Sequence, residues 1–196
     1  MANTLSNFKS ALTGGGARPN LFKVSIPDIG LTDDDHMMIK GAQLPESTVG
    51  LVEVPFRGRT FKVAGDRTFA PWSITVINDT EFKIRSAMEE WAQSIAQYGD
   101  GSGNQSPEDY MKDATVTQLG RNGGSTGDES QKGAIGKGLQ SLKMYTFYDI
   151  WPSNISAIDL SYDSSDVIEE FTVEFQVQWW EALKGIGANA GGENIN

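Results

Sequence analysis

Residues 168–180 read IEEFTVEFQVQWW, the cleanest alternation in the chain. Phe171, Val173, Phe175, Val177 and Trp179 share one side of an extended backbone, and Glu170, Thr172, Glu174, Gln176 and Gln178 share the other. Successive side chains of a strand point to opposite faces, so this period of two describes a strand with one buried and one wet face. The same signal recurs upstream. Leu21 to Ile26 alternates and stops at Pro27, Met37 to Gln43 stops at Leu44-Pro45, and Trp72 to Ile77 is a third run. Residues 51–63, LVEVPFRGRTFKV, have extended character but carry Pro55 and Gly58, which suits an edge strand or a projecting hairpin.

Farther along, Ala114 to Leu119 and Leu142 to Ile150 read as partners in a long hairpin, with the Gly- and Ser-rich 121–138 as its flexible tip. A strand is expected over Ile155 to Tyr162, before the turn residues Asp163-Ser164-Ser165-Asp166. One helix stands out, over about 79–98. Asn78-Asp79-Thr80 offers capping side chains, Ile84, Met88, Trp91 and Ile95 share a face, and Gly99 ends it. Many strands, one helix and no βαβ alternation predict a mainly β fold: a small β-sandwich or barrel with one flanking α-helix. The length suits a single domain over 1–181, with an N-terminal arm at 1–16 and a flexible tail at 182–196.

The 196 residues carry 26 acidic and 16 basic side chains, a formal net charge of −10, and no cysteine. Without cysteine there are no disulfides, thiolate metal sites or cysteine nucleophiles. An acidic surface is the opposite of one built to grip nucleic acid, but it lets DNA pass without sticking. The first residues, MANTLSNFKSALTGGG, lack a signal-peptide core, and no run approaches the roughly 18 apolar residues of a membrane-spanning helix.

The candidate chemical motifs fail on their own requirements. GAIGKG (133–138) has Gln131 where a phosphate loop needs its first glycine and Gly138 where it needs a hydroxyl. GDGSGN (99–104) and GGG (14–16) lack the strand and helix of a dinucleotide site. Asp33-Asp34-Asp35-His36 lacks calcium-loop spacing, and four consecutive side chains cannot converge on one ion. His36 is the only histidine, and nothing marks a serine to partner it. Glu169 with Glu170, as neighbours in a strand, face opposite ways, and Glu170 and Glu174 share a face about 13 Å apart. The five tryptophans are not interleaved with Lys or Arg and read as core or subunit interface.

Taken in order, several pieces become specific. Ala17-Arg18-Pro19-Asn20-Leu21-Phe22 opens the first strand, Leu44-Pro45 follows the second, and Val63-Ala64-Gly65-Asp66-Arg67-Thr68-Phe69 precedes the Trp72 strand. Asn78-Asp79 leads into the helix, Trp151-Pro152-Ser153-Asn154 follows the hairpin, and Leu160 to Trp180 closes the fold. From about residue 17 to 181 this order and spacing closely resembles the tail tube proteins of T4-like contractile-tailed bacteriophages. The segment 121–138 is longer than that family's hairpin connection, and the Gly/Asn-rich tail after Glu181 is extra.

The resemblance implies hexameric rings stacked into a tube, with the sheets of neighbouring subunits fused into one inner barrel. It implies kinship of fold with the ring protein of type VI secretion systems. The implied partners are other copies of the chain, the tail sheath, baseplate and tape-measure proteins, and double-stranded DNA passing without specific binding. The implied setting is the virion tail, assembled in the host cytoplasm. The resemblance implies no catalysis, cofactor, metal or membrane insertion. A tube-initiating baseplate protein or a secretion-type hexameric ring is the alternative with the same fold.

On this footing Arg18, Arg57, Arg59, Asp66 and Arg67 are candidates for subunit interfaces, with the segment 46–66 and the N-terminal arm. Asp66 and Arg67 have two readings: charged contacts within or between subunits, or a pair fixing a turn inside one chain. Glu170 and Glu174, then Asp159, are the candidates for the lumen wall, from the acidic balance and the clean alternation around them.

Overall fold

The computed structural model describes residues 5–12, 16–27, 29–32, 34–120 and 141–184. Its longest strand, β7 (Ser141–Ile155), holds the fold together. The first part of β7 pairs with β6 (Lys112–Leu119) on one side and β9 (Trp179–Lys184) on the other. Its last part, from Trp151 to Ile155, pairs with β8 (Glu170–Gln176). The changeover falls at Asp149, whose φ of 53° is left-handed, while the ladder to β6 slips between Lys112 and Ala114. The Asp113 carboxylate accepts the Asp149 N–H at 3.2 Å. An irregularity of this kind bends a strand sharply, so one strand can serve two sheets.

The strand order runs β1 (Phe22–Ser25), β6, β7, β8, β5 (Trp72–Ile77), β2 (Ile39–Ala42), every neighbouring pair antiparallel. The apolar sides of these strands meet in one core. Trp72 stacks on Phe147 at 4.5 Å and on Phe175 at 5.3 Å, and Val24, Ile74, Val116, Phe171 and Val173 surround them. The outer strands β1 and β2 are tied by His36, from the 3-10 turn Asp35–Met38. Only 7% of His36 is exposed, and its Nε2 lies 3.2 Å from both the amide N and the carbonyl O of Ile26, just beyond β1.

Helix α2 (Lys83–Ile95) caps the core with Ile84, Met88 and Trp91 buried and Ile95 packed beside them, the face predicted from the sequence. Trp91 lies 5.8 Å from Phe175 and donates Nε1–H to the Tyr110 carbonyl of the short α3 (Pro107–Tyr110) at 2.7 Å. The helix is shorter than expected. Phe82 has a left-handed φ of 54°, which excludes it and the preceding residues from the helix. Asp79 still acts at the start, its carboxylate accepting the Lys83 N–H at 3.0 Å. At the other end Ala96 is already extended, ahead of Gly99.

Two expectations are corrected. The predicted strand over 155–162 is absent: β7 runs on through Trp151-Pro152-Ser153-Asn154 to Ile155, and 156–160 is coil. Pro152 is accommodated because this end of β7 pairs on one side only. The run 168–180 is not one strand either. Residues 167–169 are coil, with Val167 and Ile168 exposed, and β8 and β9 are separated by Val177-Gln178. A one-residue slip exchanges the faces of a strand. Trp179, predicted inward, is therefore 38% exposed and stacks on Tyr148 at 3.9 Å, while Trp180 packs towards the core beside Tyr145.

The proposed flexible tip 121–138 and nearly all of the C-terminal tail lie outside the described residues; β9 itself extends to Lys184, three positions into the tail read from the sequence. The two remaining strands, β3 (Ser47–Phe56) and β4 (Arg59–Phe69), pair only with each other.

Candidate assembly surface

The β3–β4 hairpin is a projecting arm, as the proline and glycine in 51–63 suggested. Its turn is made by Arg57 and Gly58, with φ of 46° and 75°, and Phe56 pairs directly with Arg59. Two left-handed residues in a two-residue loop match the right-handed twist of the strands they join. Midway, Gly50 faces Gly65-Asp66, so β4 carries one extra residue where the ladder slips. A side chain at Gly65 would lie 3.1 Å from the Gly50 backbone, so these glycines are required by the close crossing rather than by φ. Asp66 and Arg67 thus sit at a bulge inside β4. Both are exposed and no ion pair joins them, since adjacent strand residues point to opposite faces. The reading as a turn-fixing pair is not the one realised.

The arm buries nothing. Val49, Leu51, Val52, Val54 and Val63 are exposed, and at the tip Phe56 and Phe61 are 66% and 65% exposed. Arg57 lies over the Phe56 ring, its guanidinium carbon 5.4 Å from the centroid. Between 47 and 69 stand four basic residues (Arg57, Arg59, Lys62, Arg67) and two acidic ones (Glu53, Asp66), in a chain whose formal charge is −10. Lys62 and Glu53 face each other across the strands at a loose 3.9 Å. Exposed apolar side chains gathered on one element are the kind of surface through which proteins bind other molecules.

Two tryptophans fix the arm where it leaves the barrel. Trp72 donates Nε1–H to the Gln43 carbonyl at 2.9 Å, and Trp180 donates to the Glu46 carbonyl at 3.2 Å. Phe69, the last residue of β4, meets Trp180 edge-on at 6.1 Å. Pro45 and Pro71 stiffen the two connections, beside an open cleft lined by Gln43 to Glu46 and Ala70 to Trp72. The sequence reads Trp180 only as one of five tryptophans in core or subunit interface, because the alternation assigned its neighbour Trp179 to the inner face.

The other candidates are distributed as follows. Glu170 and Glu174 share the polar face of β8, as expected, with Thr172 between them and Ser73 and Asn154 opposite Glu174. Glu170 is bonded to Lys40 at 2.6 Å, whereas Glu174 has no ion pair among the described residues. Asp159 lies apart from that face, exposed in the coil between β7 and β8. Arg18 is exposed, and its carbonyl accepts from the Leu21 N–H and the Gln118 side chain in the turn before β1. The short α1 (Leu5–Ala11) leads the arm at the N-terminus, with Leu5, Phe8 and Leu12 exposed.

Among the described residues no three His, Asp or Glu side chains gather as metal ligands. Asp35 is engaged by the Thr32 hydroxyl at 2.6 Å and the Thr32 N–H at 2.8 Å, which hold its carboxyl below the ordinary 3.8. His36 is committed to the Ile26 backbone. Among the described residues no helix is long and apolar enough to cross a membrane.

Comparison with known proteins gives a consistent result. A family model described as phage tail tube protein matches residues 4–183. The chain is 35% identical over 173 residues to the tail tube protein gp19 of Enterobacteria phage T4, covering 86% of this chain and 93% of that one. In fold it is similar to the tube-terminating cap of the anti-feeding prophage, with a TM-score of 0.60, 14% identity and coverage of 86% and 91%. It is also similar to a chain of the extended sheath–tube complex of an extracellular contractile injection system, with a TM-score of 0.55, 13% identity and coverage of 93% and 99%.

Proposed function

The chain belongs to the phage tail tube protein family, and on that premise we propose that it stacks as hexameric rings into the hollow tube of a contractile tail. It is a structural component of the virion, with a β-rich fold. In this reading genomic DNA and the tape-measure protein occupy the bore, and contraction of the sheath drives the tube through the host envelope.

The observation that carries the reading is the arm. Its strands of 10 and 11 residues gather Val52, Val54, Phe56, Phe61 and Val63 on one exposed face and touch little besides each other. An isolated two-stranded hairpin is marginal in water, and long unguarded strand edges invite pairing. A second copy that covers the arm satisfies both. The contact joins different surfaces of the two copies, and heterologous contacts close into rings or propagate as filaments; a tube of stacked rings does both.

The lumen wall is assigned to the polar face of β8. Glu174 leads, since the charge of Glu170 is partly answered by Lys40. An acidic wall repels phosphates and keeps DNA mobile. Replacing both glutamates with lysine slows DNA ejection or leaves DNA adhering, and normal ejection from that variant removes the assignment.

Electron microscopy of purified chain, with and without tail baseplates, tests the main reading. Long hollow tubes with a bore wide enough for duplex DNA are expected, at least from baseplate seeds. Short stacks that never lengthen would reassign the chain as an initiator or a secretion-type ring. Removal of residues 2–12 is expected to impair growth while the monomer stays folded.

A further inference from the structure

The charge of this chain is unevenly placed. The arm is locally basic, with Arg57 in its turn and Arg59 directly after it, between Phe56 and Phe61. From residue 144 to 183 the chain carries eight acidic residues and no lysine or arginine. Within that stretch the coil between β7 and β8 does something unusual for soluble coil. Leu160, Tyr162, Val167 and Ile168 are each at least 67% exposed, interspersed with Asp159, Asp163 and Asp166. Apolar side chains standing this far into water, spaced by carboxylates, form the complement of a tip that presents two phenylalanines and two arginines.

The geometry points to a head-to-tail contact in which the arm tip of one copy, Phe56 to Phe61, seats on the 159–168 segment of the next copy. The contact rests on the tube reading above and gives the arm its receiving surface. Phe56 and Phe61 supply apolar anchors for Leu160, Tyr162 and Ile168, while Arg57 and Arg59 face Asp159, Asp163 and Asp166. Aromatic and arginine side chains are the groups most often found at the energetic centre of interfaces. Opposite charges around them fix register and speed encounter, and a misplaced like charge is costly.

Another acidic surface with exposed apolar groups, Asp34 to Met38, fits less well. Its Asp35 carboxylate is already bonded to Thr32, and Met37 and Met38 are its only large apolar groups. The short α1 offers Lys9 but no carboxylate to meet an arginine. The tip and the 159–168 segment belong to the same chain, so every copy carries both halves of the contact and the interaction repeats around a ring.

The chain has no cysteine, which makes crosslinking unambiguous. A variant with both Arg59→Cys and Asp163→Cys, grown from baseplate seeds and then oxidised, is expected to give a ladder of covalent oligomers. Either single variant is expected to give none. Separately, R57E/R59E is expected to raise the concentration needed for growth by about tenfold or more. D163R/D166R does the same, and the two sets combined in one chain restore growth. Far-ultraviolet circular dichroism checks that each variant folds, as exposed positions allow. Tubes that form yet yield no ladder, or charge reversals that leave growth unchanged, overturn this contact while the tube reading stands. Failure of the parent chain to grow from seeds removes both.

Discussion

The barrel and the arm use the same extended backbone and much the same residues, and they treat them in opposite ways. In β5, Trp72, Ile74 and Val76 are buried in strict alternation; along β3 and β4 not one residue is buried, although they hold four valines, one leucine and three phenylalanines. The lesson is that alternation shows a strand has two faces without saying what covers them. The core covers the inner face of β5, and among the described residues nothing covers the arm. Stability of the monomer and competence to assemble should therefore be separable by mutation.

The largest effect on the monomer is expected at Trp72. It is 2% exposed, stacks between Phe147 and Phe175, and holds the Gln43 carbonyl. Trp72→Ala should cost about 3–5 kcal/mol in urea unfolding, from lost burial, a cavity and an unpaired acceptor. Of a typical total of about 5–15 kcal/mol that is enough to endanger the fold. A loss below about 1 kcal/mol would mean that the barrel tolerates holes, and the contrast with the arm would collapse.

Next comes the glycine crossing inside the arm. Gly65→Val places a Cβ 3.1 Å from the Gly50 backbone, which cannot rotate aside. Overpacking of this kind costs about 1–3 kcal/mol. Because the arm stands alone, the cost should appear locally, as lost amide-exchange protection in 47–69 with the barrel amides unchanged. Loss of barrel protection as well would show that arm and barrel unfold as one unit.

Much of this was legible from sequence, and the failures share a cause. The inner face of β8 and the buried stripe of α2 were readable because Phe171, Val173 and Phe175, and Ile84, Met88 and Trp91, keep a regular period over several residues. The places misread are single-residue events. Phe82 turns left-handed and delays the helix, Asp149 bends β7, and Val177-Gln178 exchanges the roles of Trp179 and Trp180. Each is fixed by packing remote in sequence, and phenylalanine is a poor advertisement for a left-handed φ. The charged candidates Arg57, Arg59, Asp66 and Arg67 all fall on the β3–β4 arm, and the bulge at Asp66 and Arg67 depends on a pairing that no local pattern displays.

Smaller again is the effect expected at the shoulder. Trp180→Phe keeps an aromatic ring beside Phe69 and Tyr145 but deletes the bond to the Glu46 carbonyl. Partly solvated bonds of this kind contribute roughly 0.5–1.5 kcal/mol. Thermal unfolding should shift modestly, while exchange at 43–47 accelerates and tubes grow more slowly. Equal growth rates would show that the angle of the arm is set by its neighbour rather than by the shoulder.

The smallest effect on the monomer, and the sharpest test, belongs to the tip. Phe56 and Phe61 are mostly in water and touch no buried residue of the core cluster. Replacing both with serine removes little buried surface, so unfolding should stay within about 0.5 kcal/mol of the parent. Tube growth should nevertheless fail, because anchors at the centre of an interface carry most of its energy. If the double variant polymerises normally, the apolar arm is decoration and the neighbour lies elsewhere. If it unfolds as readily as the Trp72 variant, the tip packs on its own barrel in solution. Only an unchanged monomer that cannot grow keeps the two regions distinct: one folded by its own residues, the other completed by the next copy.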